Sequence, residues 1–254
     1  MEPETLTVPI NERDTVSALL YAAPSKQRSS MTVILGHGAG ANQLSPFMRL
    51  FANGLAQRGF DTITFNFLYM EQGRRVPDPK ERLESCYRAV IQTAQQHTKL
   101  KGNRIVIGGK SMGGRIASQV AAAESSLECA DLSAHSNAAT IGIAAHAART
   151  GHNRIAALVL LGYPLHPPGK PEKMRDQHLK DVRAPMLFIQ GSRDAFGTPE
   201  ELRAVIKNHK LPAKLHIIEG GDHSFKVSKS SSVPQQRIYE DIMDETSRWL
   251  LTAT

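Results

Sequence analysis

The chain has 254 residues, 41% of them hydrophobic, which is enough for one substantial core in a single domain over residues 1–254. Its net charge of +7 comes from basic residues scattered along the chain, a distribution that predicts solvated faces and no nucleic-acid partner. No apolar run reaches the roughly 20 residues that cross a bilayer, and the N-terminus lacks a secretory signal, so we expect no membrane association.

The cysteine and histidine residues indicate which cellular compartment and which cofactors to expect. Two cysteines, Cys86 and Cys129, are too few for a disulfide framework, so we expect reduced thiols in a cytoplasmic protein. His135, His146 and His152 share one stretch but lack carboxylate or thiol partners at ligand spacing. We therefore expect no metal and no organic cofactor. The sequence leaves the oligomeric state open, and a homodimer is compatible with it.

Apolar runs separated by turn signals predict strands that alternate with helices. The predicted strands are 5–10, 16–21, 32–35, 61–67, a run that begins at Arg104, 156–161, 185–190 and 214–218. The predicted helices are 46–58, 80–97, a segment after Ser111, 199–208 and 235–251, with a loop over 68–79. A hairpin-like entry followed by βα units predicts an α/β-hydrolase fold, in which a mostly parallel twisted sheet carries helices on both faces.

Three of the predicted helices carry more detailed signals. Thr198 is the expected N-cap of helix 199–208, with Pro199 at its first position. An apolar face is expected on the first helix and on the last one. These faces comprise Phe47, Leu50, Phe51, Gly54 and Leu55 on the first helix, and Ile238, Ile242, Met243 and Leu250 on the last.

The stretch from Arg104 to Gly114 predicts the centre of the functional site. An apolar strand ends at a Gly pair, Ser111 follows, and a second Gly pair leads into a helical pattern. Residues 109–113 fit G-x-S-x-G, the nucleophile elbow, in which a serine occupies a sharp turn from strand to helix. Glycines are expected beside the serine because larger side chains would collide with the neighbouring strand and helix.

Other interpretations of these Gly-rich loops fit less well. Residues 109–111 resemble the end of a P-loop, but that motif needs a glycine where Arg104 stands. Residues 36–41 loosely fit a dinucleotide fingerprint, which expects an acidic residue after the next strand, where Asn66 and Phe67 stand. A plain turn from strand to helix also matches the five-residue pattern, so the elbow interpretation needs partners elsewhere in the chain.

Two loops supply those partners. A serine hydroxyl becomes a nucleophile when a base takes its proton and an acid orients that base. Asp194 and His223 each follow a predicted strand, and Ser111, Asp194 and His223 occur in the chain order of an α/β-hydrolase triad. Asp222 adjoins His223, but neighbouring residues rarely present their side chains to one another. Asp194 is therefore the predicted orienting acid.

A tetrahedral oxyanion needs two N–H donors. The backbone N–H of Met112, the residue after the nucleophile, is the first candidate. The second is the N–H of Ala39, in the loop after the third strand.

These motifs resemble those of the dienelactone-hydrolase-like α/β-hydrolases, most closely a small-hydrolase branch related to testis-expressed protein 30. The matching stretches are residues 35–41, 65–67, 69–71, 74–75, 108–115, 161–169, 190–197 and 221–225. The resemblance implies a fold without a large lid domain and the triad Ser111, Asp194 and His223. Residues 125–153 are longer than the corresponding link in relatives, which implies an inserted helical segment or flap near the pocket mouth.

Several other residues are candidates for the pocket. An arginine pair after a strand end could clamp a substrate carboxylate, although two solvated loop arginines fit equally well. Lys110 precedes the nucleophile, and a buried ion pair or hydrogen bond is favoured there over substrate contact. The candidates for substrate binding are His37 beneath its Gly loop, Tyr69, Arg74, Arg75, Lys110, His166 beside a Pro-rich turn, and Phe196 as a wall residue.

The sequence thus predicts a carboxylesterase-like serine hydrolase that takes a small-molecule acyl substrate and works without a cofactor. Two alternatives stay open. One is a non-catalytic binding or scaffold protein with the same fold, since some relatives in this branch serve in chromatin complexes and family membership does not establish turnover. The other is an acyltransferase or perhydrolase that uses the same triad.

Overall fold

The structure is a computed structural model that describes residues 2–136, 155–228 and 232–253, with 126–136 described by backbone alone. Eight strands and six α-helices follow one another along these residues. The strands are β1 (Glu4–Pro9), β2 (Thr15–Tyr21), β3 (Met31–Gly36), β4 (Asp61–Phe65), β5 (Arg104–Lys110), β6 (Ile155–Leu161), β7 (Met186–Gly191) and β8 (Ala213–Ile218). The helices are α1 (Pro46–Gln57), α2 (Leu68–Glu71), α3 (Lys80–Gln96), α4 (Met112–Ser136), α5 (Pro199–Asn208) and α6 (Gln235–Ala253).

The eight strands form one sheet in the order β1-β2-β4-β3-β5-β6-β7-β8. The strands β1 and β2 pair as an antiparallel hairpin, in which Val8 lies opposite Val16, and β2 pairs antiparallel with β4. All the other neighbours are parallel, as connections through helices require. This arrangement confirms the predicted α/β-hydrolase fold.

Helices cover both faces of the sheet, and the central strands supply side chains to both cores. In β6, Leu158 and Leu160 pack with α3, α4 and α5, whereas Val159 and Leu161 pack with α1 and α6. Strands that are buried on both faces read as continuous apolar runs, which is why the sequence located them well. No helix among the described residues is long and apolar enough to cross a membrane.

Most element bounds fall within two residues of their predictions, and α5 shows why. Thr198 caps this helix: its hydroxyl accepts the Glu201 N–H (3.2 Å), and the Glu201 carboxylate accepts the Thr198 N–H (2.8 Å). Pro199 occupies the first helical position, where a missing N–H costs nothing. These local signals act through neighbours in sequence and are therefore readable from sequence.

The predicted strand over 61–67 and the loop after it were partly wrong. The strand β4 ends at Phe65, and α2 forms one helical turn within the predicted loop. The Phe67 N–H donates to His37 Nε2 (3.1 Å) instead of to a neighbouring strand, so the chain leaves the sheet two residues early.

Helix α1 is also rotated relative to its predicted apolar face. Met48, Phe51 and Leu55 are buried in the core, while Phe47 and Leu50 are only partly buried. On α6, Ile242, Met243 and Leu250 point inward as predicted, and Ile238 packs against the same core from its rim.

The predicted insertion over 125–153 begins as regular helix. Helix α4 runs to Ser136, so residues 125–136 continue the elbow helix. The rest of the predicted insertion, residues 137–153, lies outside the described residues.

Close backbone contacts join β3, β5 and the start of α4. Gly36 of β3 lies opposite Gly109 of β5 in the parallel register. A Cβ on Gly109 would lie 2.2 Å from the Gly36 carbonyl oxygen, and a Cβ on Gly113 of α4 would lie 2.1 Å from the same oxygen. The sharp turn therefore requires glycine on both sides of Ser111.

Gly113→Ala is expected to lower the free energy of unfolding by about 3 kcal/mol or more, because the added Cβ overlaps backbone that has to shift. The matched change Gly40→Ala should cost less than about 0.5 kcal/mol, since a Cβ there meets nothing within 4 Å. Urea denaturation of both variants measures the difference. Equal unfolding midpoints for the two variants would contradict this account.

Candidate active site

Ser111 occupies the turn between β5 and α4. Its φ of 53° lies in the left-handed region, which is strained for a residue that carries a Cβ. The Ser111 N–H donates to the Leu161 carbonyl at the end of β6 (2.9 Å), and the Ser111 carbonyl accepts the Arg115 N–H (3.1 Å). Neighbouring strand and helix thus hold the strained turn, which has the geometry of a nucleophile elbow.

Two side chains from loops after neighbouring strands form a chain of contacts to Ser111. His223 lies in the loop after β8, and its Nε2 is 2.8 Å from Ser111 Oγ. Asp194 lies in the loop after β7, and its Oδ2 is 2.8 Å from His223 Nδ1. The three residues are distant in sequence, and they meet because the carboxyl ends of parallel strands lie at one edge of the sheet.

The surroundings of Asp194 determine which nitrogen of the imidazole faces the carboxylate as a donor. The Asp194 side chain is fully buried, and its Oδ1 accepts the Phe196 N–H (2.8 Å). Since the carboxylate oxygens accept, His223 Nδ1 carries the proton and Nε2 presents its lone pair to the Ser111 hydroxyl. Asp222 makes a different contribution: its Oδ1 accepts the N–H groups of Ser224 and Lys226 and stabilises the turn.

Ala39 and Met112, whose N–H groups are the predicted oxyanion donors, lie on the two backbone segments beside Ser111. Met112 is the first residue of α4, where helix N–H groups have no partner within the helix. Gly38, just before Ala39, lies beside the nucleophile: a Cβ on Gly38 would be 3.6 Å from Ser111 Cβ. In the part of the chain that the structure describes, neither the Ala39 nor the Met112 N–H donates to another backbone group outside regular elements.

The loop that carries Ala39 is supported from below by two residues that the sequence suggested for substrate binding. The Tyr69 hydroxyl donates to the Ala39 carbonyl (3.0 Å), and His37 Nδ1 lies 2.8 Å from the Gly38 carbonyl. Burial lowers the pKa of His37 to about 4, although the Gly38 carbonyl opposes this shift, so the ring is neutral at pH 7. Both side chains are buried, which places them behind the loop and not among the described residues that line the cavity.

A cavity of about 600 Å³ opens beside Ser111 and His223. Its wall is mainly apolar, and the Phe196 ring stacks on the His223 imidazole with centroids 4.2 Å apart. The described lining comprises residues 38–41 and 45–48, Leu50, Lys110, Ser111, Phe196, His223, Ser224, Lys226 and Tyr239. Pockets of this size and character accommodate small molecules.

Three further candidates for substrate binding lie away from this cavity. Arg74 pairs with Asp78 (2.7 Å), and Arg75 is exposed to solvent. In the chain, the helical turn α2 lies between β4 and both arginines. His166 is held between the Pro167 carbonyl (2.9 Å) and the Glu201 carboxylate (3.2 Å).

Lys110 is buried next to Ser111 and contacts the loop that carries His223. Its Nζ donates to the His223 carbonyl (2.5 Å) and lies 5.6 Å from the centroid of the Phe225 ring. Burial lowers the pKa of Lys110 to about 8, against the opposing charges of Asp194 and Asp222. The side chain makes the hydrogen bond that its sequence context favoured.

Sequence reasoning missed much of the cavity wall. Phe47 and Leu50 were assigned to the core by helical periodicity, but both line the cavity. Tyr239 of α6 packs its ring against Phe47 at nearly a right angle, with centroids 6.0 Å apart. No local signal marks Tyr239, because its place at the cavity depends on how α6 docks against α1.

Comparison with family models identifies the family. The model described as an alpha/beta hydrolase domain matches residues 29–251, and the chain belongs to this family. An a/b serine hydrolase without lid from Xanthomonas campestris superposes with a TM-score of 0.68 at 16% identity, over 100% of this chain and 97% of that one. Dienelactone hydrolase from Anabaena variabilis superposes with a TM-score of 0.66 at 19% identity, over 100% and 99% of the two chains.

These findings confirm the resemblance to dienelactone-hydrolase-like proteins and the expectation of a fold without a large lid domain. At such identities the structural matches establish the fold alone. Among curated proteins, quorum-quenching protein AidA of Acinetobacter baumannii is 33% identical over 104 residues. That match covers 39% of this chain and only 33% of the length of AidA.

The buried Lys110 predicts a pH-dependent stability. Its pKa of about 8 in the folded chain lies below the unfolded value of 10.5, so between these values the unfolded chain binds more protons. Stability therefore rises with pH in this window, and Lys110→Met removes that rise. From about pH 8 to about pH 10, the wild type should gain about 2 kcal/mol relative to Lys110→Met in urea unfolding. Parallel stability curves for the two proteins would contradict this assignment.

Proposed function

We propose that this chain is a serine hydrolase that cleaves a small carboxylic ester or related acyl compound through an acyl-enzyme. One observation carries the proposal: Ser111, His223 and Asp194 form a continuous hydrogen-bonded chain, with both contacts at 2.8 Å, beside an apolar cavity. Membership of the alpha/beta hydrolase family supports it.

In the acylation step, Ser111 Oγ attacks the acyl carbon while its proton passes to His223 Nε2. Asp194 accepts the Nδ1 proton in a hydrogen bond and stabilises the imidazolium that forms. The negative charge that develops on the acyl oxygen is bound by the backbone N–H groups of Ala39 and Met112. Breakdown of the tetrahedral intermediate transfers the His223 Nε2 proton to the departing alcohol and leaves an ester on Ser111.

Water then removes the acyl group. His223 Nε2 takes a proton from the water, whose oxygen attacks the acyl carbon of the Ser111 ester. The second tetrahedral intermediate uses the same two N–H donors. Return of the proton to Ser111 Oγ releases a carboxylic acid, so the protein groups end in their starting state.

The wall of the cavity suggests what the substrate carries. Phe47, Met48, Leu50 and Phe196 offer apolar contacts within reach of the nucleophile, which suits a small apolar acyl or alcohol group. The proposal includes a cytoplasmic location, which the low cysteine content leads us to expect.

A fluorophosphonate probe tests the nucleophile. The wild type should be labelled, and Ser111→Ala should not be. Asp194→Asn should slow labelling by about 10³- to 10⁴-fold, because the amide favours the wrong imidazole tautomer. A matched control is Ser118→Ala: Ser118 Oγ also lies 2.8 Å from a histidine nitrogen, that of His178, but it is buried away from the cavity. This variant should be labelled like the wild type.

The same experiment separates the alternatives. A folded wild type that neither reacts with the probe nor hydrolyses acyl esters would overturn the proposal and favour a binding or scaffold protein. Labelling of Ser111 combined with transfer of the acyl group to an added alcohol or to hydrogen peroxide, in place of water, would identify an acyltransferase or perhydrolase.

The position of Arg75 makes a second prediction. Arg75→Ala should keep kcat/KM for esters, with or without a free carboxylate, within about twofold of the wild type, because the side chain is exposed outside the cavity. A selective loss of activity toward carboxylate-bearing esters in Arg75→Ala would restore the arginine-clamp hypothesis.

Phe196→Ala should lower kcat/KM about tenfold through loss of its stacking on His223.

A further inference from the structure

Gln190 is a fully buried polar side chain beside the triad that the sequence patterns did not single out. It lies near the end of β7, four residues before Asp194. Its Oε1 accepts the Tyr163 N–H (2.8 Å), and its Nε2 donates to the Gly197 carbonyl (2.8 Å) and to Asp194 Oδ2 (2.8 Å). A buried carboxamide with all these contacts made has a defined orientation.

Backbone neighbours decide which way this carboxamide faces. The Tyr163 N–H can only donate, so it must face Oε1, and the Gly197 carbonyl can only accept, so it must face Nε2. The other hydrogen of Nε2 faces Asp194 Oδ2 (2.8 Å), which lies nearer than the competing Tyr163 carbonyl (3.3 Å). The orientation of the amide follows from fixed groups and does not depend on the state of the triad.

Two donors thus converge on a single carboxylate oxygen. Asp194 Oδ2 accepts from Gln190 Nε2 and from His223 Nδ1, both at 2.8 Å. The other oxygen, Oδ1, accepts the Phe196 N–H. Rotation of the carboxylate would break these contacts together, so Oδ2 stays where the imidazole needs it.

We propose that Gln190 is a positioning residue, whose amide N–H holds Asp194 Oδ2 where it accepts the Nδ1 proton of His223 and leaves Nε2 facing Ser111. A test by the rate of reaction with a probe rests on the proposed function, whereas a test by the proton resonance of His223 Nδ1–H does not. A carboxamide does not titrate near neutral pH, so this donor is present throughout the working range. The charged or titratable groups that act on Asp194 are His223, Lys110 and His166, and Tyr163 meets Gln190 through its backbone.

Gln190→Met tests the proposal, since methionine fills a similar volume without a donor. The inactivation rate constant kinact with a fluorophosphonate should fall about 10- to 100-fold, while the binding constant KI stays within about twofold, because Gln190 does not line the described cavity. The downfield proton resonance of His223 Nδ1–H, assigned by its loss in His223→Gln, should shift or disappear. The matched control Gln119→Met, on the partly buried face of α4, should change neither quantity.

Gln190→Glu provides a second test that does not depend on how well methionine is tolerated. Two buried carboxyl groups that share one proton titrate as a pair, and at higher pH the shared proton is lost. The ratio of kinact in Gln190→Glu to kinact in the wild type should therefore fall as pH rises, since the shared proton supplies the missing donor only at lower pH.

Folded Gln190→Met with wild-type kinact and an unchanged Nδ1–H resonance would overturn the proposal. A Gln190→Glu ratio that is constant with pH would overturn it as well. A wild type that does not react with the probe would refute the proposed function alone: a shift of the resonance in Gln190→Met would then still support Gln190 as the group that positions Asp194, and an unchanged resonance would refute it.

Discussion

The approach of α4 to β3 at the Gly36 carbonyl is the contact on which the geometry of the site depends. It brings the start of a helix onto the backbone of a central strand with no side chain between them. The turn that connects β5 to α4 must then be tight, and Ser111 adopts a φ of 53° within it. The strain is localised at the residue whose hydroxyl has to stand clear of the sheet. Helix α4 begins at the next residue, so its N-terminus lies beside Ser111.

The second constraint is how buried charge is satisfied around His223. Asp194 is fully buried and relies on donors from a side chain of β7, from its own loop and from the imidazole. Lys110 holds the backbone carbonyl of His223, while Asp194 holds its ring. The histidine is therefore fixed at its backbone by Lys110, the last residue of β5, and at its ring by Asp194, in the loop after β7. A buried charge that lost its partners would be costly, so these contacts stabilise the fold as well as the site.

The cavity arises from the connection between β3 and α1. The loop after β3 brings Ala39 beside Ser111, and the helix that follows presents Phe47 and Leu50 to the same space. Phe47 stacks on Phe51 within α1, with centroids 4.2 Å apart, so the wall is rigidly joined to the core. One segment of chain thus supplies both a backbone loop beside Ser111 and an apolar side of the cavity. His37 and Tyr69 support that segment from behind. Their hydrogen bonds to its carbonyl groups explain why two polar side chains are buried there.

The sequence by itself determined the order of the strands and of every helix except the single turn α2, the helix cap at Thr198, and the placement of Ser111, Asp194 and His223 just after strand ends. It could do so because each of these depends on local pattern: apolar runs, turn residues, and polar side chains just after strand ends. Only the tertiary structure decided that His37, Tyr69, Arg74 and His166 lie outside the cavity, that α1 turns Phe47 and Leu50 toward it, and that Gln190 contacts Asp194. Those outcomes depend on the rotation and docking of whole elements, which are governed by packing between residues far apart in the chain and leave no periodic signal in it.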